Sequence, residues 1–282
     1  MILVPCRFGA LGNQLFHIAH FMASALHGKD IRFHFASFQY PLELFPHINS
    51  HPLISVATSS ARTNRLYAGL FRLGRSLLSA SSFHAFYVSH GPPHVNTGSD
   101  SFLQKSRRRL IVCNGFGFRD PDNVRRYSSD LRHLLSLAPS ITQRADLFAR
   151  PLRDQTNPLI VGFHIRRGDY RTYESGRFFL SNEDWLLVFS SVRNQVLRSG
   201  RTFKGILFSN EDVSPFLGGN SDLVLAPGLV YEDLALMSQC DYLVGPPSTF
   251  SGWASFVGSV PFSTVQPGSI SPDIFSSMPV DW

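Results

Sequence analysis

Residues 159–165, Leu-Ile-Val-Gly-Phe-His-Ile, form an almost unbroken apolar run that passes without a linker into Arg166-Arg167-Gly168-Asp169-Tyr170. A short run that is apolar at both odd and even positions has to be covered on both faces. That is the condition of a strand inside a parallel sheet with helices on each side. The chain beyond it agrees. Helical spacing at 182–198 is followed by a strand at 205–209, a short helix near Val213 and a strand at 222–226. A helix at 232–240, a strand at 242–245, a helix starting near Thr249 and a strand at 260–265 complete the series. Alternation of this kind predicts an α/β unit of the Rossmann type.

Two positions in this half point to an anionic ligand. Arg166 and Arg167 leave the strand at its carboxyl end, where open α/β sheets bind their ligands, and guanidinium forks match phosphate oxygens. An Arg-Asp ion pair closing the strand end is the plainer alternative. Gly245-Pro246-Pro247-Ser248-Thr249-Phe250-Ser251 joins a strand to a helix. There the free N–H groups of the first helical turn and the hydroxyls of Ser248, Thr249 and Ser251 could cradle a diphosphate. Simple hydroxyl capping of the helix is the alternative.

The first half opens in the same style, with a strand at 2–6, a turn at 7–11 that contains Gly9, a helix at 12–26 and a strand at 31–36. Residues 38–94 are broken by proline, serine and histidine and are less regular. Within them, Arg62, Arg65, Arg72 and Arg75 fall near one stripe of a helix, and Leu66, Leu70, Leu73, Leu77 and Leu78 supply its apolar side. Such a helix is suited to anionic lipid, or more simply presents a solvated arginine face over the core. Arg107-Arg108-Arg109, before a strand at 110–114, has the same two readings. Asp120-Pro121-Asp122 has the form of a metal-binding D-x-D, but a cap followed by proline at the first helical position explains it with less. The prolines and polar residues of 150–158 are the expected linker, giving domains 1–150 and 151–282.

Composition narrows the partners. Of 282 residues 43% are hydrophobic and 16% charged, and 26 basic against 20 acidic groups leave +6. That balance suits an anionic ligand, and no nucleic-acid module accompanies it, so nucleic acid is not expected as a partner. Cys6, Cys113 and Cys240 are few, scattered and in apolar settings, so neither a disulfide framework nor a zinc site is expected. No membrane-spanning run and no signal peptide is read, and a cytoplasmic protein is expected.

His164-Ile165-Arg166-Arg167-Gly168-Asp169-Tyr170 resembles the H-x-R-R-G-D-Y signature of the α-1,2-fucosyltransferases. Phe8 to Phe16 resembles their G-x-L-G-N-Q-x-F opening, and Ser248-Thr249-Phe250-Ser251 their S-T-F-S block, in the family's order. The resemblance implies two Rossmann-like domains facing across a cleft, the GT-B arrangement. It also implies inverting transfer of L-fucose from GDP-fucose to a hydroxyl of a galactose-containing glycan, without metal or other cofactor. Arg166 would stabilise the departing diphosphate, with Arg167 and His164 beside the nucleotide. Asp169 and Glu174 are the nearest carboxylates to take the acceptor proton.

Several further residues enter through the resemblance. Gly12, Asn13 and Gln14 would lie at the cleft. Asp233 would accept from guanine, and Asn210 and Asp212 would line the nucleotide pocket or cap the next helix. Ser248, Thr249, Phe250 and Ser251 complete the donor site. The chain departs from the family's N-S-T-F-S-W-W at Pro247 and Gly252, which bears on acceptor and linkage.

Overall fold

A computed structural model describes residues 1–78, 83–153, 157–218 and 220–280. The chain divides into two compact units, 1–138 and 139–280. Each is a Rossmann-like α/β unit built on a five-stranded parallel sheet.

The first unit runs β1 (Ile2–Val4), α1 (Leu11–Gly28), β2 (Phe33–Phe38), β3 (Ile54–Thr58), α2 (Ala61–Leu78), β4 (His84–Val88), β5 (Val95–Asn96), α3 (Asp100–Arg108), β6 (Leu110–Asn114), β7 (Phe118–Arg119), α4 (Pro121–Arg126) and α5 (Ser128–Leu134). Its main sheet has the order β3-β2-β1-β6-β4, and β5 pairs with β7 separately. α1 is buried along nearly its whole length, with Phe21 and Met22 fully enclosed. Asp120 behaves as a cap. It is 2% exposed, accepts from the Asn123 amide and from Ser24 Oγ at 2.7 Å, and starts α4 with Pro121 behind it. Asp122 points outward to Arg125, so the two carboxylates of Asp-Pro-Asp diverge. All three cysteines are free and buried.

α2 corrects one expectation. The leucine side was expected to cover the core, yet Leu66, Leu70, Leu73 and Leu77 are 54–71% exposed. Phe71, 4% exposed, is the residue that faces inward. The side chain of Leu78 lies outside the described residues.

The second unit runs α6 (Pro139–Arg153), β8 (Leu159–Ile165), α7 (Asn182–Arg198), β9 (Phe203–Ser209), β10 (Leu223–Leu225), α8 (Val230–Met237), β11 (Tyr242–Gly245), α9 (Thr249–Gly258) and β12 (Phe262–Thr264). The division precedes α6, one helix earlier than the expected 150/151 boundary. α6 belongs with the second sheet because Arg144 Nε pairs with Glu232 at 2.6 Å. Arg153 also reaches Asp241 at 3.2 Å and the Gln239 carbonyl at 2.7 Å. The stretch expected to be a linker therefore begins inside a helix, whose last turn contains Pro151.

The apolar run 159–165 is β8, buried at every position and flanked by β9 and β11. Val161, Phe163 and Ile165 pack with Trp185, Val188 and Val192 of α7, each enclosed side chain contributing about 2 kcal/mol. A capping box between Ser181 and Asp184 sets where α7 starts.

Gly162 faces the other side of the sheet, where an added Cβ would meet Leu243 at 2.7 Å, Cys240 Sγ at 2.9 Å and Phe208 at 3.0 Å. Gly162→Ala is therefore expected to cost about 1–3 kcal/mol by overpacking, read as a lower midpoint in chemical denaturation with an unchanged slope.

Candidate active site

The second sheet has the order β10-β9-β8-β11-β12, which in chain order is third, second, first, fourth, fifth. Winding reverses between β8 and β11. In open parallel sheets the loops leaving such a pair part to opposite faces, and the crevice beyond their carboxyl ends is where ligands bind. The loops concerned here are 166–169 after β8 and 246–248 after β11.

The two-residue period of β8 continues into its loop and separates the two arginines. His164 faces α9, with Nδ1 2.5 Å from Ser251 Oγ and its ring beside Phe250. Arg166 follows on that side, its guanidinium over the Tyr170 ring at 4.8 Å. Its Nε and Nη2 donate to the two oxygens of Asp169 at 3.2 and 2.8 Å. This forked pair leaves the Nη1 edge without another hydrogen bond among the described residues. Arg167 turns toward α7. It donates through Nη2 to Asn182 Oδ1 and lies 5.9 and 5.4 Å from the Phe179 and Phe216 ring centres. Both arginines were expected beside phosphates. The fold directs one to the crevice and engages the other in packing.

The loop is braced from β9. Gly168 has φ +23° and an added Cβ would come 2.5 Å from Asn210 Nδ2, so glycine is required there. Its N–H donates to Glu211 Oε1 at 3.0 Å, and Glu211 Oε2 accepts from Arg171 at 2.8 Å. Asn210 Oδ1 accepts from the Arg167 amide. Asp212 takes the capping alternative, accepting from the Ser214 amide at 2.9 Å. Sequence reasoning passed over Glu211. Its place between Asn210 and Asp212 at a strand end was the available signal.

Tyr170 joins the two loops. Its hydroxyl donates to the Pro247 carbonyl at 2.5 Å, while its ring carries Arg166 on one side and stacks near Tyr173. The partner is a main-chain carbonyl, so proline serves at 247 as asparagine would. Ser248 is the N-cap of α9, accepting from the Phe250 amide at 3.2 Å. Ser251 is fully buried and held by His164, so its hydroxyl is turned inward and does not join Ser248 at the loop. Thr249 and Phe250 stand half-buried in the first turn of α9, the end toward which a helix directs its backbone N–H groups.

Protonation states follow from these surroundings. Burial, and then the Arg166 charge, lower the His164 pKa to about 3, so this ring is neutral and a weak base. The hydrogen bond from Arg166 holds Asp169 below the usual carboxylate range. Glu174 is exposed, 3.7 Å from Arg177, and lies with Ser175 in the left-handed region at φ 46° and 60°. Asp233, in the first turn of α8 at the same sheet edge, is 8% exposed and accepts from the Gly228 amide. Burial raises its pKa to about 6.

In the first unit, Gly12 is buried at the start of α1 and Asn13 is half-buried. The Asn13 side chain lies where a Cβ on Gly9, at φ +67°, would clash at 2.1 Å. Gln14, expected as a ligand partner, is fully buried. It donates to the Gly9 carbonyl at 2.9 Å and accepts from the Gln39 amide at 3.1 Å, which pins the β1–α1 turn to the end of β2.

This fold is shared with solved fucosyltransferase structures. A point mutant of Arabidopsis thaliana FUT1 in complex with GDP superposes with a TM-score of 0.62 at 11% identity, covering 93% of this chain and 70% of that one. The fucosyltransferase NodZ from Bradyrhizobium gives 0.55 at 13% identity over 93% and 94% of the two chains. POFUT1 in complex with GDP gives 0.54 at 15% identity over 93% and 97%. No protein-family model matches the sequence, and no curated protein matches it. At these identities the likeness is one of fold.

Tyr170→Phe removes the bond to Pro247 and keeps the ring. It is expected to cost about 1 kcal/mol in chemical denaturation, against about 3–5 kcal/mol for Tyr170→Ala.

Proposed function

We propose that the chain is an inverting fucosyltransferase that moves L-fucose from GDP-fucose to a hydroxyl of a galactose-containing glycan, forming an α-1,2 linkage without a metal. The observation that carries this reading is Arg166. Asp169 and Tyr170 hold its guanidinium at the reversal between β8 and β11, with the Nη1 edge uncommitted. Tyr170 ties that group to the loop entering α9. A positive fork and a helix N-terminus held together suit a diphosphate. The GDP in the FUT1 and POFUT1 structures of this fold supports the choice of nucleotide.

In the proposed reaction the acceptor oxygen attacks the anomeric carbon opposite the diphosphate. The bond from that carbon to the β-phosphate oxygen breaks, and the electron pair leaves on GDP. Arg166 and the α9 amides stabilise the charge gathering on the leaving group, an interaction stronger in the transition state than before it. The Asp169 carboxylate, doubly bonded to Arg166, serves better to aim the guanidinium than to take a proton. The acceptor proton is therefore assigned to Glu174, whose carboxylate is exposed and whose backbone is held in a sparsely populated conformation. Asp233 would accept from the guanine N1–H and amino group.

A transferase with the same donor nucleotide but another sugar or linkage is the second reading. It is motivated by Gly252, a buried glycine in the first turn of α9 where the resembled family carries an indole.

Incubation with GDP-fucose and a panel of β-galactosides, followed by mass and linkage analysis, tests the activity. Arg166→Ala should lower kcat by about 100-fold or more with an unchanged denaturation midpoint, and wild-type turnover by that variant would reject the assignment. GDP binding without turnover on any donor would leave a noncatalytic nucleotide binder.

Asp233 adds a pH test. Its pKa is raised to about 6, so the carboxyl becomes protonated as pH falls through that value and can no longer accept both guanine donors. Guanosine, which has no phosphate to titrate, should bind progressively more weakly below pH 6, approaching about tenfold per unit. Asp233→Asn should flatten that profile, and identical profiles for the two proteins would exclude the guanine contact.

A further inference from the structure

The leucines of α2 that the core does not use have a geometry of their own. Leu66, Leu70, Leu73 and Leu77 follow one another at intervals of four, three and four residues, which keeps them on a single stripe of an α-helix. Their exposures are 59, 54, 55 and 71%. The side facing the sheet is centred elsewhere, on Tyr67, Phe71 and Gly74, rotated by roughly a quarter of a turn, with Leu70 at the border between the two. That side is loosely seated, for an apolar cavity of about 440 Å³ remains between α2 and the strands, lined by Leu3, Phe86 and Val112 among others. The leucine stripe is thus not a core face displaced by packing. It is a second apolar face, more than half exposed at each leucine, that meets the sheet side only at Leu70.

Charge identifies what covers it. Residues 61–78 contain four arginines and no carboxylate. Among the described residues Arg62, Arg65, Arg72 and Arg75 make no ion pair, and all four are exposed. Arg62 lies close beside the stripe and Arg65 and Arg72 along one flank of it. From there long side chains can rest their stems on apolar surface and keep their charges at its edge. A second copy of the chain seated on the stripe would bring Arg62, Arg65 and Arg72 again to the same seam and no carboxylate of the helix to neutralise them. An anionic bilayer surface supplies both what the leucines and what the arginines require.

We propose that α2 docks this protein reversibly on an anionic lipid surface, with the Leu66/Leu70/Leu73/Leu77 stripe entering the headgroup layer and Arg62, Arg65 and Arg72 pairing with lipid phosphates. This does not depend on the activity proposed above.

Co-sedimentation of the full chain tests it, using vesicles of phosphatidylcholine alone or mixed equally with phosphatidylglycerol. The wild type should partition at least about tenfold more strongly onto the anionic vesicles, and about 1 M salt, where the screening length is near 3 Å, should remove most of that preference. Leu66→Gln with Leu73→Gln, and separately Arg65→Glu with Arg72→Glu, should each reduce binding by about tenfold or more. These positions are exposed, so the circular-dichroism melt should stay unchanged. Equal binding to neutral and anionic vesicles, or binding indifferent to the leucine pair, would overturn the proposal. So would a concentration-dependent dimer in sedimentation velocity that the leucine pair abolishes in a protein that does not bind vesicles, since the stripe would then be a self-association seam.

Discussion

The arrangement of the second unit depends on the period of two along β8. One strand, covered on both faces, sends Val161, Phe163 and Ile165 into the α7 core and His164 toward α9. The same alternation carries past the last paired residue and sets the two arginines apart. Arg166 therefore reaches the reversal point of the sheet as a single oriented cation, and Arg167 becomes part of the wall beneath it. A shift of one residue in β8 would exchange those roles and would also place His164 in the apolar core.

A cation at a strand end is useful only if it is held. The loop 166–169 has no long secondary structure of its own, and its order comes from neighbours on both sides. Glu211 and Asn210 fix its main chain from β9, and Tyr170 fixes it to the β11 loop. Asp169 then orients the guanidinium by a forked pair that is partly exposed, so its value lies in geometry more than in stability. A concavity of about 650 Å³ along α6, near Gln143, Arg150 and Gln239, lies by the opposite end of the strands, where Asp241 binds the Ile160 amide. It has no part in this constellation.

The fold was legible where pattern and burial coincide. Residues 159–165, 182–198, 110–114 and 242–245 have the bounds that apolar period and capping residues indicate, because strands and helices covered by one core carry that core's spacing. The irregular region 38–94 concealed β3 and β4, and the helix α3 was not anticipated before the Arg107-Arg108-Arg109 cluster. α6 was hidden because Pro151 and its polar neighbours read as a linker, whereas ion pairs to Glu232 and Asp241 hold the helix in place. Of the candidate site, the sequence showed the two strand ends, after 165 and 245, that the sheet places side by side. It could not show which hydroxyl of Ser248 and Ser251 turns inward, or that Gln14 is engaged within its own unit, because those outcomes are set by partners distant along the chain. α2 misled for another reason. It has two apolar sides, and periodicity alone does not say which of them meets the sheet.

The proposed activity requires the Arg166 guanidinium to be the group that receives the nucleotide's terminal phosphate. A crystal structure of the protein with GDP tests this most directly. It should place β-phosphate oxygens about 2.7–2.9 Å from Arg166 Nη1, with the Asp169 pair intact and the first-turn amides of α9 on the same phosphates. A nucleotide bound elsewhere, or phosphates that contact neither Arg166 nor residues 248–251, would contradict it.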